Sequence, residues 1–260
     1  MTARIVTLDI ETSPILAYVW GLFKQFVGLN QIKTDWSILS FCAKWLETKK
    51  VIYYDTGGRG ADMVRDDRDL MCELWLILDE ADIVIAQNGV SFDMKKINAR
   101  FIELGMPPPK PYKVVDTMLE AKRIAKFTSN RLAWLSAVLT DTPKSEHKKF
   151  PGFELWTECL ADNPDAWAEM KKYNIIDVQG TEKVYLQLRP YIIGHPNLAA
   201  YNGDETVQCP KCGSEDIQRR GLALTQTGEY IRYRCTPCGG WSRSRYTQNT
   251  IAKRRSLLSN

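Results

Sequence analysis

The sequence is short of several features that would each point to a class of protein. It has no run of about 18 apolar residues, so nothing in it reads as a membrane span. Met1-Thr2-Ala3-Arg4 passes directly into a strand-like stretch without the apolar core of a secretory leader, which implies a cytoplasmic protein. Gly57-Gly58-Arg59-Gly60 is glycine-rich, but no Lys-Ser/Thr pair follows it and no helix opens from it. It reads as a surface loop and not as a phosphate cradle. There is no internal repeat and no low-complexity tract. Histidine is scarce, 2 in 260 residues, and His195 in Gly-His-Pro reads as a linker residue.

What is present is ordinary for a soluble globular protein: 44% apolar and 25% charged, with enough chain for one sizeable core and a small module. Charge and cysteine are unevenly placed. Residues 201–260 hold ten Lys or Arg against five Asp or Glu, whereas the first 200 hold 25 against 26. Such a split suggests a catalytic body with a basic arm. Cys42, Cys72 and Cys159 stand singly, as free thiols do in a reducing compartment. The other four cluster near the C-terminus.

The apolar run at 5–8, then 37–45 and 51–55, read as three strands. Helical spacing over 67–79 and an all-apolar strand at 83–86 follow, then a helix from Asp93 to Gly105, a strand at Val114-Val115 and a helix from Asp116. Residues 130–190 read as mostly helical, broken by a loop at 140–152, with Asn163-Pro164 as a helix start. This order predicts an α/β fold, a mixed sheet of about five strands covered by helices. Trp45, Trp75, Trp134 and Trp167 read as core. Residues 14–30, rich in aromatics, read either as an irregular flap or as a helix on the sheet.

The chemistry begins in Leu8-Asp9-Ile10-Glu11-Thr12. Strand side chains at i and i+2 share a face, so Asp9 and Glu11 project together and repel unless a cation lies between them. Hard oxygen ligands suit magnesium or manganese. The plainer alternative is a strand end and a cap. Asp93 closes Asn88-Gly89-Val90-Ser91-Phe92-Asp93 at the carboxyl end of a buried strand, where open α/β sheets build sites, though Asp is also a common N-cap. Asp116 also ends a strand and reads as such a cap, with a carboxylate at the outer edge of the site as the alternative. Tyr173 and Asp177 lie at i and i+4 on one helical face, an arrangement also made by incidental hydrogen bonds.

Taken together, Leu-Asp-Ile-Glu-Thr, Asn88-x-x-x-Phe92-Asp93 and Tyr173-x-x-x-Asp177 resemble the three motifs of the DEDD 3′–5′ exonucleases. The chain is similar to their tyrosine-bearing (DEDDy, DnaQ-like) branch, over residues 1–190, and closest to stand-alone phage-type relatives of the family B polymerase exonuclease domain. The resemblance implies a ribonuclease H-like fold and a bacterial or phage-infected host. It implies two magnesium or manganese ions about 4 Å apart, held by Asp9, Glu11, Asp93 and Asp177. Asp9 would bridge them, Glu11 and Asp177 complete the water-activating ion's site, Asp93 serve the other ion, and Tyr173 orient the water. Thr12, Asn88, Phe92 and Lys148 are expected to contact substrate. Lys148 lies in the basic run 144–149, whose His147 is too distant in sequence from Asp177 for the histidine-bearing branch and reads as part of a solvated loop on the substrate backbone.

Cys209-Pro-Lys-Cys212-Gly and Cys235-Thr-Pro-Cys238-Gly, 22 residues apart with strand-like runs between them, resemble a zinc ribbon. Disulfides are the alternative. The expected division is therefore an exonuclease domain over 1–190, a linker over 191–206, the ribbon over 207–247 and a basic mobile tail over 248–260. Arginines and aromatics in the ribbon, Arg232, Arg234 and Trp241 among them, suit single-stranded nucleic acid. Docking of a protein is the alternative. The expected activity is release of nucleoside 5′-monophosphates from single-stranded or frayed DNA 3′ ends. The rivals are an RNase D-like enzyme on RNA, a ribonuclease H-type endonuclease and a non-catalytic adaptor. A polymerase or repair protein acting in trans is an expected partner.

Overall fold

A computed structural model of the chain describes residues 2–141, 147–203 and 205–258. Two units emerge, Arg4–Tyr185 and one holding Leu186–Asn260. In chain order the first contains strands β1 (Ile5–Thr12), β2 (Leu16–Ala17), β3 (Ile32–Thr34), β4 (Ile38–Trp45) and β5 (Val51–Asp55). Then come α1 (Arg68–Glu80), β6 (Ile83–Ala86), α2 (Asp93–Glu103), β7 (Lys113–Asp116), α3 (Thr117–Ile124), α4 (Leu132–Leu139), α5 (Glu154–Leu160) and α6 (Pro164–Leu188), the last running on across the border.

The five-stranded sheet has the order β5-β4-β1-β6-β7, with β1 antiparallel to β4 and parallel to β6. This is the mixed, ribonuclease H-like arrangement expected. β1 is its central strand, pairing β4 along one edge and β6 along the other, and its apolar residues pack on one face. Val6, Leu8 and Ile10 enter one core with Leu74 and Leu78 of α1 and Ile97 and Phe101 of α2. Truncating a leucine as buried as Leu8 to alanine costs about 2–5 kcal/mol. A second core, containing Leu39 of β4, Leu155 of α5, and Trp167, Met170 and Tyr173 of α6, covers another part of the unit. α2 is tied down by the buried Asp67, whose carboxylate takes two hydrogen bonds from Arg100 and one from the Ile38 N–H. Removing one partner of such a pair leaves a charge unpaired in the interior, at about 3–5 kcal/mol.

Some expectations change. Residues 14–30 form the irregular flap and not the helix: β2 and β3 pair briefly, and the aromatics between them find nothing to pack on. Trp134 is 41% exposed instead of core, because α4 turns Leu135 inward and leaves its neighbour outside. Asn163 does start α6, its Oδ1 accepting the Asp165 N–H.

The second unit holds a hairpin of β8 (Ile217–Leu224) and β9 (Glu229–Cys235), extended by β10 (Trp241–Arg243) in the order β10-β9-β8. Within the stretch expected as a linker, Ile192 and Leu198 are buried, and the Leu198 N–H donates to the Pro210 carbonyl. Within the expected mobile tail, Ile251–Ser256 form a short helix, α7, capped by the Thr250 hydroxyl. Ala, Lys and Arg are good helix formers, which accounts for it.

Candidate functional site

Alternation along β1 decides which groups face which way. With Val6, Leu8 and Ile10 committed to the helical core, Asp9 and Glu11 turn to the opposite face. Asp93 is the first residue of α2 and does not act as its cap. Its carboxylate accepts the backbone N–H of Ile10 on β1 at 3.3 Å, so the acid of the second motif is docked on the strand carrying the first pair. Asp116, by contrast, is the cap expected. It accepts the N–H groups of Met118 and Leu119, and also those of Asn88 and Val90, so it holds the turn that leads to Asp93. Asn88 occupies that turn at φ 63°, with Ser91 donating to its side chain. Its structural part is thus the turn. Phe92 is 38% exposed beside it.

From α6 come Tyr173 and Asp177, both buried, with the phenol hydrogen-bonded to the Asp177 carboxylate. Asp9 is where the three segments meet. Burial holds its pKa well above the ordinary carboxylate value, and the charges of Glu11, Asp93 and Asp177 raise it further. Burial likewise raises Asp93, to about 7, with Asp116 adding to it and two backbone N–H groups opposing it. Burial, then Glu11, Asp177 and Asp9, push the Tyr173 phenol far above its ordinary value, which favours its protonated form. The structure therefore brings Asp9, Glu11, Asp93, Tyr173 and Asp177 into one electrostatic field. A set of carboxylate oxygens from two strand positions and two helices is a hard-ligand set, and it fits magnesium or manganese. Its oxygens do not form so tight a group as the cysteines described below.

Two partners of this cluster went unread in the sequence. Asn174, wholly buried, donates from Nδ2 to Asp9 Oδ2 at 2.5 Å, and its own Oδ1 accepts the Ser40 hydroxyl at 3.1 Å. The relay fixes which Asp9 oxygen is engaged by protein. The signal was available: Asn174 and Asp177 lie at i and i+3 on the same helix. Asn174→Ala should lower Mn2+ affinity about 10–100-fold, as loss of a group orienting a metal ligand does. Calorimetric titration measures this, and an unchanged affinity would remove the role.

His147 is the second. Distant in sequence, it packs edge-on against Tyr173 with ring centroids 5.3 Å apart and against Trp156 at 5.7 Å, its Nδ1 2.7 Å from the Phe150 carbonyl oxygen. It is half-buried, so the reading of His147 as a solvated loop residue is corrected. Lys148 is exposed beside it, and residues 144–146 of that basic run lie outside the described residues. Thr12 lines a cleft with Ser13, Pro14, Gly152, Phe153 and Trp156.

In the second unit the four cysteines converge. Among the described residues, Cys209, Cys212, Cys235 and Cys238 are the group whose ligand atoms all lie within 4.8 Å of one another. Each Cys-x-x-Cys turn closes on a glycine, Gly213 at φ 74° and Gly239 at φ 71°, whose N–H returns to the carbonyl of the first cysteine. Glycine takes that left-handed conformation at no steric cost. The Cys209 thiol is held low, first by the Cys212 thiol and then by the Lys211 and Cys212 backbone N–H groups, although burial opposes this. The Cys212 and Cys235 thiols are shifted the other way, so it is the close gathering of four sulfur atoms that fits zinc. On the adjoining sheet Tyr230, Arg232 and Arg234 share one face of β9. Trp241 lies opposite Arg234, the Arg232 guanidinium is 5.2 Å from the Trp241 ring centre, and that of Arg243 is 4.0 Å from the Tyr230 ring centre. Arg232, Arg234 and Trp241 are all exposed.

No family model matches the chain, and no curated protein matches it. Among solved structures it is similar to the family B DNA polymerase from the hyperthermophilic archaeon Pyrobaculum calidifontis, at 15% identity and a TM-score of 0.48. The match covers 73% of this chain and 26% of that one, so the chain spans about a quarter of the polymerase's length. A likeness this distant says nothing of activity.

Proposed function

We propose that the first unit is a metal-dependent 3′–5′ exonuclease that releases nucleoside 5′-monophosphates from single-stranded or frayed DNA. The observation that carries this reading is Asp9, buried in the shared field of Glu11, Asp93 and Asp177, with Tyr173 hydrogen-bonded to the last of them. Asp9, Glu11, Asp93 and Asp177 would hold the divalent ions, which supply the Lewis acidity that phosphodiester hydrolysis needs. Water attacks the terminal phosphorus, the bond to the 3′ oxygen of the preceding nucleotide breaks, and that oxygen takes up a proton. Tyr173, protonated, donates a hydrogen bond that orients the water. Asn174 keeps the Asp9 carboxylate in one rotamer, and His147 and Trp156 wall the Tyr173 ring. Zinc at the four cysteines is structural, and the Arg232–Arg234–Trp241 face supplies backbone contacts and a stacking ring for a strand. The domain division follows, with the nuclease before the border and the ribbon after it.

The test is a 5′-labelled oligonucleotide, as DNA and as RNA, incubated with Mn2+. A one-nucleotide ladder on DNA, absent with chelator, is expected. Faster loss of RNA would reassign the substrate, and a single internal cut would reassign the enzyme as an endonuclease.

A further inference from the structure

Between β1 and β4 the chain makes an excursion that the proposed chemistry does not use. Its root is firmly held. The Ser13 N–H donates to the Ser37 carbonyl, the Ser37 N–H donates to Ser13 Oγ, and Arg65 donates to Ser13 Oγ, the Pro14 carbonyl and the Asp35 carbonyl. β2 and β3 then pair for two or three residues, and Gln31 Nε2 bonds the Tyr18 carbonyl. Beyond that point the side chains are bare. Trp20 is 98% exposed, Phe23 86% and Phe26 101%, with Tyr18, Leu22 and Leu29 also outside. Soluble proteins rarely leave so many large apolar groups together in water unless something covers them.

Charge and position say what covers them. Residues 13–34 contain Lys24 and Lys33 and no Asp or Glu, in a chain with 31 acidic residues. Aromatic rings interleaved with cations, free of any acid, complement a polyanion whose bases have flat faces. An apolar protein partner would need no such one-sided charge. The flap also begins at the candidate site. Ser13 and Pro14 line the cleft with Thr12, Phe153 and Trp156, and the Trp156 ring is 6.2 Å from that of Tyr173.

We propose that the 13–34 flap is a stacking surface for single-stranded nucleic acid, with Trp20, Phe23 and Phe26 gripping the nucleotides that lead into the cleft. The location of the gripped end rests on the nuclease reading above. The flap thereby gives the enzyme a hold on a strand that is independent of the ribbon.

The test measures affinity in full-length protein that does not cleave, the Asp9→Asn variant, by anisotropy of a labelled twelve-residue oligothymidylate. Adding Trp20→Ala, Phe23→Ala and Phe26→Ala together should weaken binding about 10-fold or more, since each stacked base contributes appreciably. The unfolding midpoint should not move, because these side chains support no core. A second triple variant to Leu keeps the apolarity and removes the rings, and it should lose the same affinity. Leu variants that bind like the parent would overturn stacking. So would Ala variants of unchanged affinity, including the case in which they only alter self-association by sedimentation, which would give the flap to a protein contact. Because affinity is read without cleavage, a wild-type chain that leaves DNA intact would defeat the nuclease reading alone.

Discussion

Asp9→Asn is expected to lower hydrolysis by about 10³-fold or more while making the metal-free protein more stable at pH 8. Both effects come from one charge. The substitution is nearly isosteric and removes the carboxylate at which the fields of Glu11, Asp93 and Asp177 converge. Activity falls because a neutral amide cannot take the place of a charged ligand that the chemistry requires. Stability rises because the folded state raises the Asp9 pKa. A carboxyl group raised in this way contributes stability that is complete below its unfolded pKa near 4 and is lost as pH climbs through the folded value. Wild type in chelator should therefore lose stability from about pH 4 upward, and Asp93, raised to about 7, extends that loss to neutrality. The variant should lose less, so the two midpoints converge at low pH and separate at high pH. Adding Mn2+ should stabilise wild type and leave the variant nearly unmoved. An active variant, or one less stable than wild type in chelator at pH 8, would contradict the assignment of Asp9.

The parts of this picture differ in how far the sequence reveals them, and the difference follows contact range. β1 is legible because its apolar residues and its two acids obey a period of two, which is a local property. The mixed sheet is legible from equally local signals, short apolar runs for strands such as 83–86, helical spacing for the helices, and the stops between them. Asp93 is legible as a residue type in its place but not in its role. Its N-cap appearance is local, whereas the Ile10 N–H that it accepts lies 83 residues away. Asn174 and Ser40 meet across 134 positions, and the rings of His147 and Tyr173 come together through a loop with no period of its own. Such contacts are chosen by packing after the elements have formed. The flap shows the converse. Its aromatics suggest a core to any reading of composition, and only the folded chain shows that no core reaches them.

Zinc removal should have the other large effect, and it should fall on one unit only. The hairpin of β8 and β9 is mostly exposed on both faces, with Cys235 the buried residue of its second strand. Among the described residues the buried apolar side chains of the unit are few: Leu188, Ile192, Leu198, Cys209 and Cys235. So few leave the unit marginal without a further constraint. Zinc held by four thiolates would supply much of the folding free energy that so small a core lacks, about 10–16 kcal/mol. The sulfur pairs Cys209–Cys238 and Cys212–Cys235 are 3.6 and 3.4 Å apart, well beyond the 2.05 Å or so of a disulfide, so oxidation is not what closes the unit. Metal analysis should find one zinc per chain. Cobalt substitution should give the thiolate charge-transfer and d–d bands of a tetrahedral four-sulfur site. After a strong chelator, or in Cys235→Ser, hydrogen exchange should show the amides of β8, β9 and β10 losing protection. Those of β1, β4 and β6 should keep theirs, because the core around Leu8, Phe41 and Leu74 owes nothing to the cysteines. Protection retained in the hairpin of the stripped protein would mean that its few buried side chains suffice, and the metal would then be an accessory to that fold and not its cause.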